Sequence, residues 1–421
     1  MISRAFRLLP RLPGVRALVE ASGTVECHLV GGILRDRALG LPSHDVDAVV
    51  AGRGREIADR LAAMLPARFV LLGGKEFGAY RLVAADFVID LWDREETTLL
   101  EDLARRDFTV NSFAMDPRTG ELTDPFGGLP DLERRMLRAT TAESFTGDPL
   151  RVLRLPRLLL RLPGFAADPQ TLLLARRSSP ALVEVAAERV RDELALTFDH
   201  PDAHRGLALL AALDLYPGLW LGAPGEPGTT GGALAELEAL PDCIRELRRH
   251  ETAFADQVDA RAARLAATFV HLPGPLDRLA AFRDAGYLVR QEAAKVALLL
   301  GWDELPASLL GQRRFLHKAG PLWATAACSL GARAGSAGAE RWREALASLV
   351  DLARREGPEL IDPPRLLTGQ EVQELLGVPP GPAVGKALAA IREAQVDGTV
   401  RTRAEAVGVI RASSPPPGPS T

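Results

Sequence analysis

Two short segments constrain this 421-residue chain more than anything else in it. The first reads His28-Leu-Val-Gly-Gly-Ile-Leu-Arg-Asp36 and is followed by His44-Asp-Val-Asp47; the second reads Arg105-Arg-Asp-Phe-Thr-Val-Asn111. Asp45 and Asp47 stand two positions apart on an apolar stretch. Residues so spaced on a strand face the same side, so the two carboxylates can grip one metal pair. Gly31-Gly32 lets backbone approach a phosphate with no Cβ in the way. Arg35 sits at the expected start of a helix, where its charge and the helix terminus both favour an anion. Arg105, Arg106 and Asn111 add two cations and an amide near what would be a triphosphate. Joining a nucleotide to a hydroxyl requires that hydroxyl to be activated and the leaving pyrophosphate to be neutralised, and two Mg²⁺ ions held by close carboxylates do both. Asp90, in Phe87-Val-Ile-Asp90 on a neighbouring strand, reads either as a third carboxylate or as an exposed strand-end acid.

Composition narrows the classes. The chain is too long for one small core and predicts several domains. No run approaches the apolar length needed to span a bilayer, and Arg7, Arg11 and Pro13 interrupt any signal-type core. Cys27, Cys243 and Cys328 are scattered and odd in number, which fits neither a disulfide framework nor a zinc pattern. A reducing, cytoplasmic setting is expected. Net charge of −4 does not advertise a nucleic-acid binder. Residues 134–161, however, hold seven arginines against Glu143 and Asp148, a segment that reads either as a phosphate track or as a solvated helix face.

The fold class expected is α+β, a mixed α/β head followed by helical neck, body and tail domains. Head strands are predicted over Val25–Val30, Val46–Val50, Phe69–Leu72, Tyr80–Ala84 and Phe87–Trp92, with a helix over Arg55–Leu65. Gly73-Gly74 reads as a turn. Helical spacing then covers Asp131–Arg138, Pro149–Leu162, Pro169–Arg177, Ala187–Thr197 and His204–Leu213. A Gly/Pro/Thr-rich break at 222–232 separates a second helical block, and Leu366–Ala412 carries helix patterns around Pro379-Pro-Gly-Pro382 and Asp397-Gly398. The expected domains are 1–127, 128–221, 233–355 and 366–412, and the Pro/Ser-rich end is expected to be disordered.

At the level of these motifs the chain resembles the class II, bacterial-type tRNA nucleotidyltransferase and poly(A) polymerase family. Leu29–Asp36 with Asp45-Val-Asp47 is similar to its metal motif, and Arg105–Ala114 to its second motif. Asp124-Pro-Phe-Gly-Gly-Leu-Pro-Asp131 with Leu137-Arg138 resembles the hinge between head and neck. Asp148-Pro-Leu-Arg-Val-Leu-Arg154 resembles the nucleotide-reading helix, and Glu188-Arg-Val-Arg-Asp-Glu-Leu194 the later neck motif. The resemblance implies a nucleotidyltransferase-type head and Mg²⁺ on Asp45 and Asp47. It places Gly32, Arg35, Arg106 and Asn111 on the triphosphate and sugar, and Asp148 with Arg151 on the base. Asp107 either orients Arg106 or caps the following helix. The implied partners are the 3′ acceptor end of tRNA, CTP and, for a full CCA product, ATP; no obligate protein partner is suggested.

Cytosine and adenine both show an exocyclic amine donor beside a ring-nitrogen acceptor, whereas uracil and guanine show a carbonyl beside an N–H. A carboxylate paired with a guanidinium therefore fits C or A. Asp148 and Arg151, three apart at a helix start, share one face, although Asp before Pro is equally a helix cap. Arg154 and Arg157 continue the stripe. Two features depart from the family pattern: Gly147 stands where many members have an acid, and Pro156 should kink the reader helix. A third departure concerns the product. Only residues 91–100 lie between Asp90 and Glu101, where full CCA-adding members carry a longer mobile loop, so CC addition is expected. A poly(A) polymerase, for which a basic C-terminal run is expected, and a silent tRNA-binding relative are the alternatives.

Overall fold

In a computed structural model of the chain, residues 6–43, 45–72, 79–215 and 229–413 are described. His44, the Gly73-Gly74 turn, most of the 222–232 break and the Pro/Ser-rich end lie outside them.

Short β-rich runs build the head. β1 (Cys27–Val30) leads through Gly31 into α2 (Gly32–Ala38), which follows an N-terminal helix α1 (Pro13–Ser22). Next come β2 (Asp45–Val50), α3 (Gly54–Met64), β3 (Arg68–Leu72), β4 (Ala79–Val83), β5 (Val88–Asp93) and α4 (Leu99–Ala104). Two-residue strands β6 (Ala114–Met115) and β7 (Leu122–Thr123) complete a seven-stranded sheet in the order β3-β4-β5-β2-β1-β6-β7. Each predicted head element is present within two residues of its expected limits; β6 and β7 are too short to carry a periodic signal. β2 and β5 pair in parallel, with Asp47 beside Asp90, and β4 and β5 pair antiparallel, with Arg81 beside Asp90. The strand interiors are apolar: Val46, Ala48, Val49 and Val50 are buried.

One expected helix is corrected. α5 (Gly128–Arg134) stops at Arg135, whose φ of 54° is left-handed. The chain then forms β8 (Met136–Leu137), paired in parallel with β9 (Ala166–Ala167). The neck is therefore not wholly helical. Asp131 remains inside α5, buried, where it accepts from Thr109 Oγ1 (2.6 Å) and from Arg138 Nε (2.9 Å). α6 (Ser144–Gly147) and α7 (Arg151–Arg161) follow, then α8 (Pro169–Ser178), α9 (Ala187–Asp199) and α10 (Ala203–Ala212). α8 starts where Pro is tolerated, with Asp168 accepting from the Thr171 N–H at 3.0 Å. α7 continues through Pro156 to Arg161 without interruption.

The chain divides into two units. The first runs to Leu194 and includes Leu209–Leu215, so it holds the sheet together with α5–α8; the second comprises Ala195–Ala208 and the chain from Tyr216. The second unit is helical: α11 (Thr229–His250), α12 (Thr252–Ala255), α13 (Ala260–Val270), α14 (Pro275–Asp284), α15 (Arg290–Leu300), α16 (Leu309–Ala319) and α17 (Trp323–Ile361). α17 is broken at Gly335, which takes φ 59° and ψ −164°. Three helices close the described chain: α18 (Gly369–Leu376), α19 (Pro382–Asp397) and α20 (Arg403–Ser413). Their breaks fall at the Pro-rich turn and at Gly398, and they bury Leu367, Val372, Val384, Ile391 and Ile410 together. No helix among the described residues is long and apolar enough to cross a membrane.

Candidate active site

The carboxylates come first. β2 begins at Asp45, which is exposed, and carries the partly buried Asp47 on the same side. At the end of β1 the backbone turns at Gly31 (φ 72°, ψ −138°). A Cβ on Gly31 would stand 3.0 Å from Asp47 Oδ2 and 3.3 Å from Arg106 Nη1, so this corner accepts only glycine. The Gly32 N–H donates to the same Asp47 oxygen at 3.3 Å. Burial pushes the Asp47 carboxyl up, the nearby Arg106 guanidinium opposes that shift, and Asp90 adds to it. Asp90 lies within β5, not at its end, and takes a two-pronged pair from Arg81: Nε to Oδ1 and Nη2 to Oδ2, both 2.7 Å. Among the described residues no cluster of three His, Cys, Asp or Glu forms a ready-made cage. Hard oxygen donors on adjoining strands, one of them half-buried against its own ionisation, nevertheless suit a divalent cation.

Behind these groups lies a buried polar chain. Arg35, 3% exposed, donates from Nη1 to Asn111 Oδ1 (2.7 Å) and from Nε to Asp36 Oδ1 (2.8 Å). Asn111 Nδ2 in turn donates to Asp107 Oδ1 (2.8 Å), which also accepts the Phe108 N–H (2.8 Å). Burial would raise the Asp107 carboxyl, but Arg154, Asn111 and the Phe108 N–H outweigh it and hold the group below the usual range. Asp107 thus neither orients Arg106 nor caps a regular helix; it supports the short turn at Thr109–Asn111. Arg106 is held instead by Asp102, through Nε (3.1 Å) and Nη2 (2.9 Å). That pairing was legible as an i, i+4 spacing on α4 and its end. The Arg105 side chain is exposed, and its carbonyl accepts from Arg151 Nη2.

α7 presents its arginines at helical spacing. Asp148 Oδ1 accepts the Leu150 N–H (3.3 Å), a local cap, while Oδ2 accepts from Arg189 Nη2 (2.9 Å). Arg151 makes no direct pair with Asp148; its Nη1 donates to the Ser144 carbonyl at 2.8 Å. Arg154 Nη2 stands 3.1 Å from Asp107 Oδ2, and Arg157 Nε 2.9 Å from Glu193 Oε2. The buried Nε atoms of Arg151 and Arg154 have no hydrogen-bond partner among the described residues. Burial pulls the Arg151 and Arg157 guanidinium groups down, whereas Asp107 pushes Arg154 up. Gly147 faces open space, so the missing acid leaves no packing defect. Arg189 and Glu193 lie in a segment whose motif was visible, but their contacts with Asp148 and with Arg157 of α7 depend on tertiary packing that no local pattern announces.

Between β5 and α4 the linker is only Arg94–Thr98, and it is anchored at both ends. Asp93 Oδ1 accepts the N–H groups of Gly52 (2.8 Å) and Glu95 (3.0 Å), and Oδ2 that of Gly54 (2.6 Å). Arg94 donates its backbone N–H to Val50 (3.0 Å) and pairs with Glu26 (2.6 Å). Thr98 and Glu101 close a reciprocal cap on α4.

A strand–glycine–helix corner, two carboxylates on one strand face and a buried arginine cradle define a nucleotidyltransferase head. The family described as Poly A polymerase head domain matches residues 27–138, and that described as probable RNA and SrmB-binding site of polymerase A matches 164–221. The chain is 33% identical to a CC-adding tRNA nucleotidyltransferase of Geobacter sulfurreducens, over 94% of each chain. It is also 33% identical to an A-adding tRNA nucleotidyltransferase of Deinococcus radiodurans, over 90% of this chain and 93% of the relative. A solved CCA-adding enzyme with CTP shares the fold, with a TM-score of 0.72, 23% identity and 98% of each chain covered. The chain belongs to the tRNA nucleotidyltransferase family. Nucleotidyltransferases of this kind generally use divalent metal ions.

Proposed function

We propose that this protein adds two C residues to the 3′ end of tRNA from CTP, releasing pyrophosphate, in the cytoplasm and with Mg²⁺. Asp45 and Asp47 would hold the metal, with Asp90 as a third carboxylate alongside. Bound there, Mg²⁺ supplies activation of the 3′-hydroxyl and neutralisation of the leaving pyrophosphate. Gly31 and Gly32 leave room for phosphate oxygens, and Arg35, Arg105, Arg106 and Asn111 orient triphosphate and sugar. Asp148 and Arg151 read the base edge, supported by Arg154 and Arg157, whose buried donors suit a polar ligand. In this reading 1–127 is the catalytic head, 128–221 the neck, and 233–355 with 366–412 the tRNA-binding body and tail.

The single observation that carries CC over CCA is the tethered five-residue linker, Arg94–Thr98. A tRNA already ending in CC tests it, because ATP should leave that tRNA unextended. Base reading has its own test. Asp148→Ala and Arg151→Ala should each erase about 1–3 kcal/mol of CTP-over-UTP discrimination, while loss of the local cap lowers stability by about 0.5–2 kcal/mol. Competition assays with both nucleotides, run beside melting curves, separate the two effects. An unchanged preference with a lowered melting temperature would show that Asp148 only caps the turn.

A further inference from the structure

The proposed reaction assigns nothing to Asp36 or Arg161, yet these two close a ring. Asp36, 1% exposed on α2, shares its carboxylate between two guanidinium groups. Oδ1 accepts from Arg35 Nε (2.8 Å), and Oδ2 from Arg161 Nη2 (2.6 Å) in the last turn of α7, 125 residues further along. From Arg35 the chain of contacts runs through Asn111 and Asp107 to Arg154, which is also on α7. Arg154 and Arg161 are seven residues apart, close to two helical turns, and so project from one side of the helix.

α7 is therefore held at two points by one buried polar chain, and the middle of that chain is the arginine proposed to hold phosphate. The helix is also held by its buried apolar face and, nearer its start, by Arg151 on the Ser144 carbonyl and Arg157 on Glu193, but Arg161 is what ties its far end to α2. Two anchors two turns apart fix its direction, and with it the position of Arg151 and Asp148 at the other end. The buried members have no water to fall back on, so each depends on its neighbours. Arg161 differs from them: its side chain is about half exposed, so removing it opens the ring without leaving a buried cation behind.

We propose that Arg161 and Asp36 are positioning residues that set nucleotide choice, by locking the base-reading helix to the phosphate-binding helix. The proposal rests on the assignment of Asp148 and Arg151 as base readers. Arg161→Ala should lower kcat/KM for CTP, and the CTP-over-UTP preference, by about tenfold, the scale of a small misplacement of catalytic groups. Affinity for tRNA should be unchanged and the melting temperature little lowered, because Arg161 is half exposed and the buried Asp36 keeps Arg35 as a partner. Arg161→Lys should restore most of the preference, since only one nitrogen is used. Preference retained in Arg161→Ala, or lost only together with melting temperature, overturns the proposal. Asp148→Ala measured alongside separates the failures. If it relaxes the preference and Arg161→Ala does not, only the lock is wrong; if neither does, the base-reader assignment falls and takes the lock with it.

Discussion

Replacing Asp45 or Asp47 with alanine is expected to reduce CMP transfer by about a thousandfold or more, because several kcal/mol of charge stabilisation depends on the metal they are proposed to hold. Binding of tRNA should survive. Neither residue belongs to the body and tail, and Asp45 is exposed at the start of its strand. Stability should also hold. Asp47 loses the Gly32 N–H contact, a net contribution of about 1 kcal/mol, and the attraction of Arg106, while burial already disfavours its charged form. The pair of substitutions therefore separates chemistry from folding. Single-turnover transfer, filter binding of tRNA and a melting curve on each variant check the three statements. Transfer above about one-tenth of wild type would be too small a loss for a metal ligand.

The second large effect concerns ATP. With a tRNA already ending in CC, transfer from ATP should be at least about a hundredfold slower than transfer from CTP to a tRNA ending at the discriminator base, the scale of misplaced reacting groups. The proposed reader pair, Asp148 and Arg151, would not itself exclude adenine, since both bases show the same donor–acceptor edge. Accepting the larger purine needs a rearrangement near the site, and the linker after β5 is poorly placed to supply it. At its start the Arg94 N–H donates to the Val50 carbonyl and the Glu95 N–H to Asp93, and the reciprocal cap at Thr98 and Glu101 closes the other end. Amide exchange at Arg94, Glu95, Thr97 and Thr98, whose N–H groups are all hydrogen-bonded, should accordingly be slower than in an open loop. Fast exchange there together with efficient A addition would remove the physical basis of the product assignment.

Much of this site was legible because its key residues obey local periods. The two-residue spacing of Asp45 and Asp47 needs only a strand, and the five longer head strands announce themselves as apolar runs. The arginine stripe of α7 follows from helical spacing. What stayed hidden depends on which elements meet. Strand register places Arg81 against Asp90, so the proposed third carboxylate carries a cation that neither sequence segment suggests. Helix packing turns Arg189 toward Asp148 and Glu193 toward Arg157. Asp36 and Arg161 were inside or beside recognised motifs without an assigned task, because their contact spans most of the first unit's sequence. The helix expected over 131–138 failed for a backbone reason: a left-handed Arg135 ends it before the apolar pattern does. Pro156, expected to kink the reader helix, lies inside a continuous α7, whose Leu155 and Leu158 are in the core, and such packing sustains a helix against an unfavourable propensity.

The central claim is that this chain is a nucleotidyltransferase that builds CC on tRNA. It is tested most directly by giving the purified protein Mg²⁺, labelled CTP and a tRNA stripped of its three terminal nucleotides, then resolving product lengths before and after ATP is added. The account predicts growth by two C residues, a stop, and no further growth with ATP. No incorporation from CTP, a single A added only to a CC-ending tRNA, a third residue completing CCA, or an open-ended A tail would each contradict it.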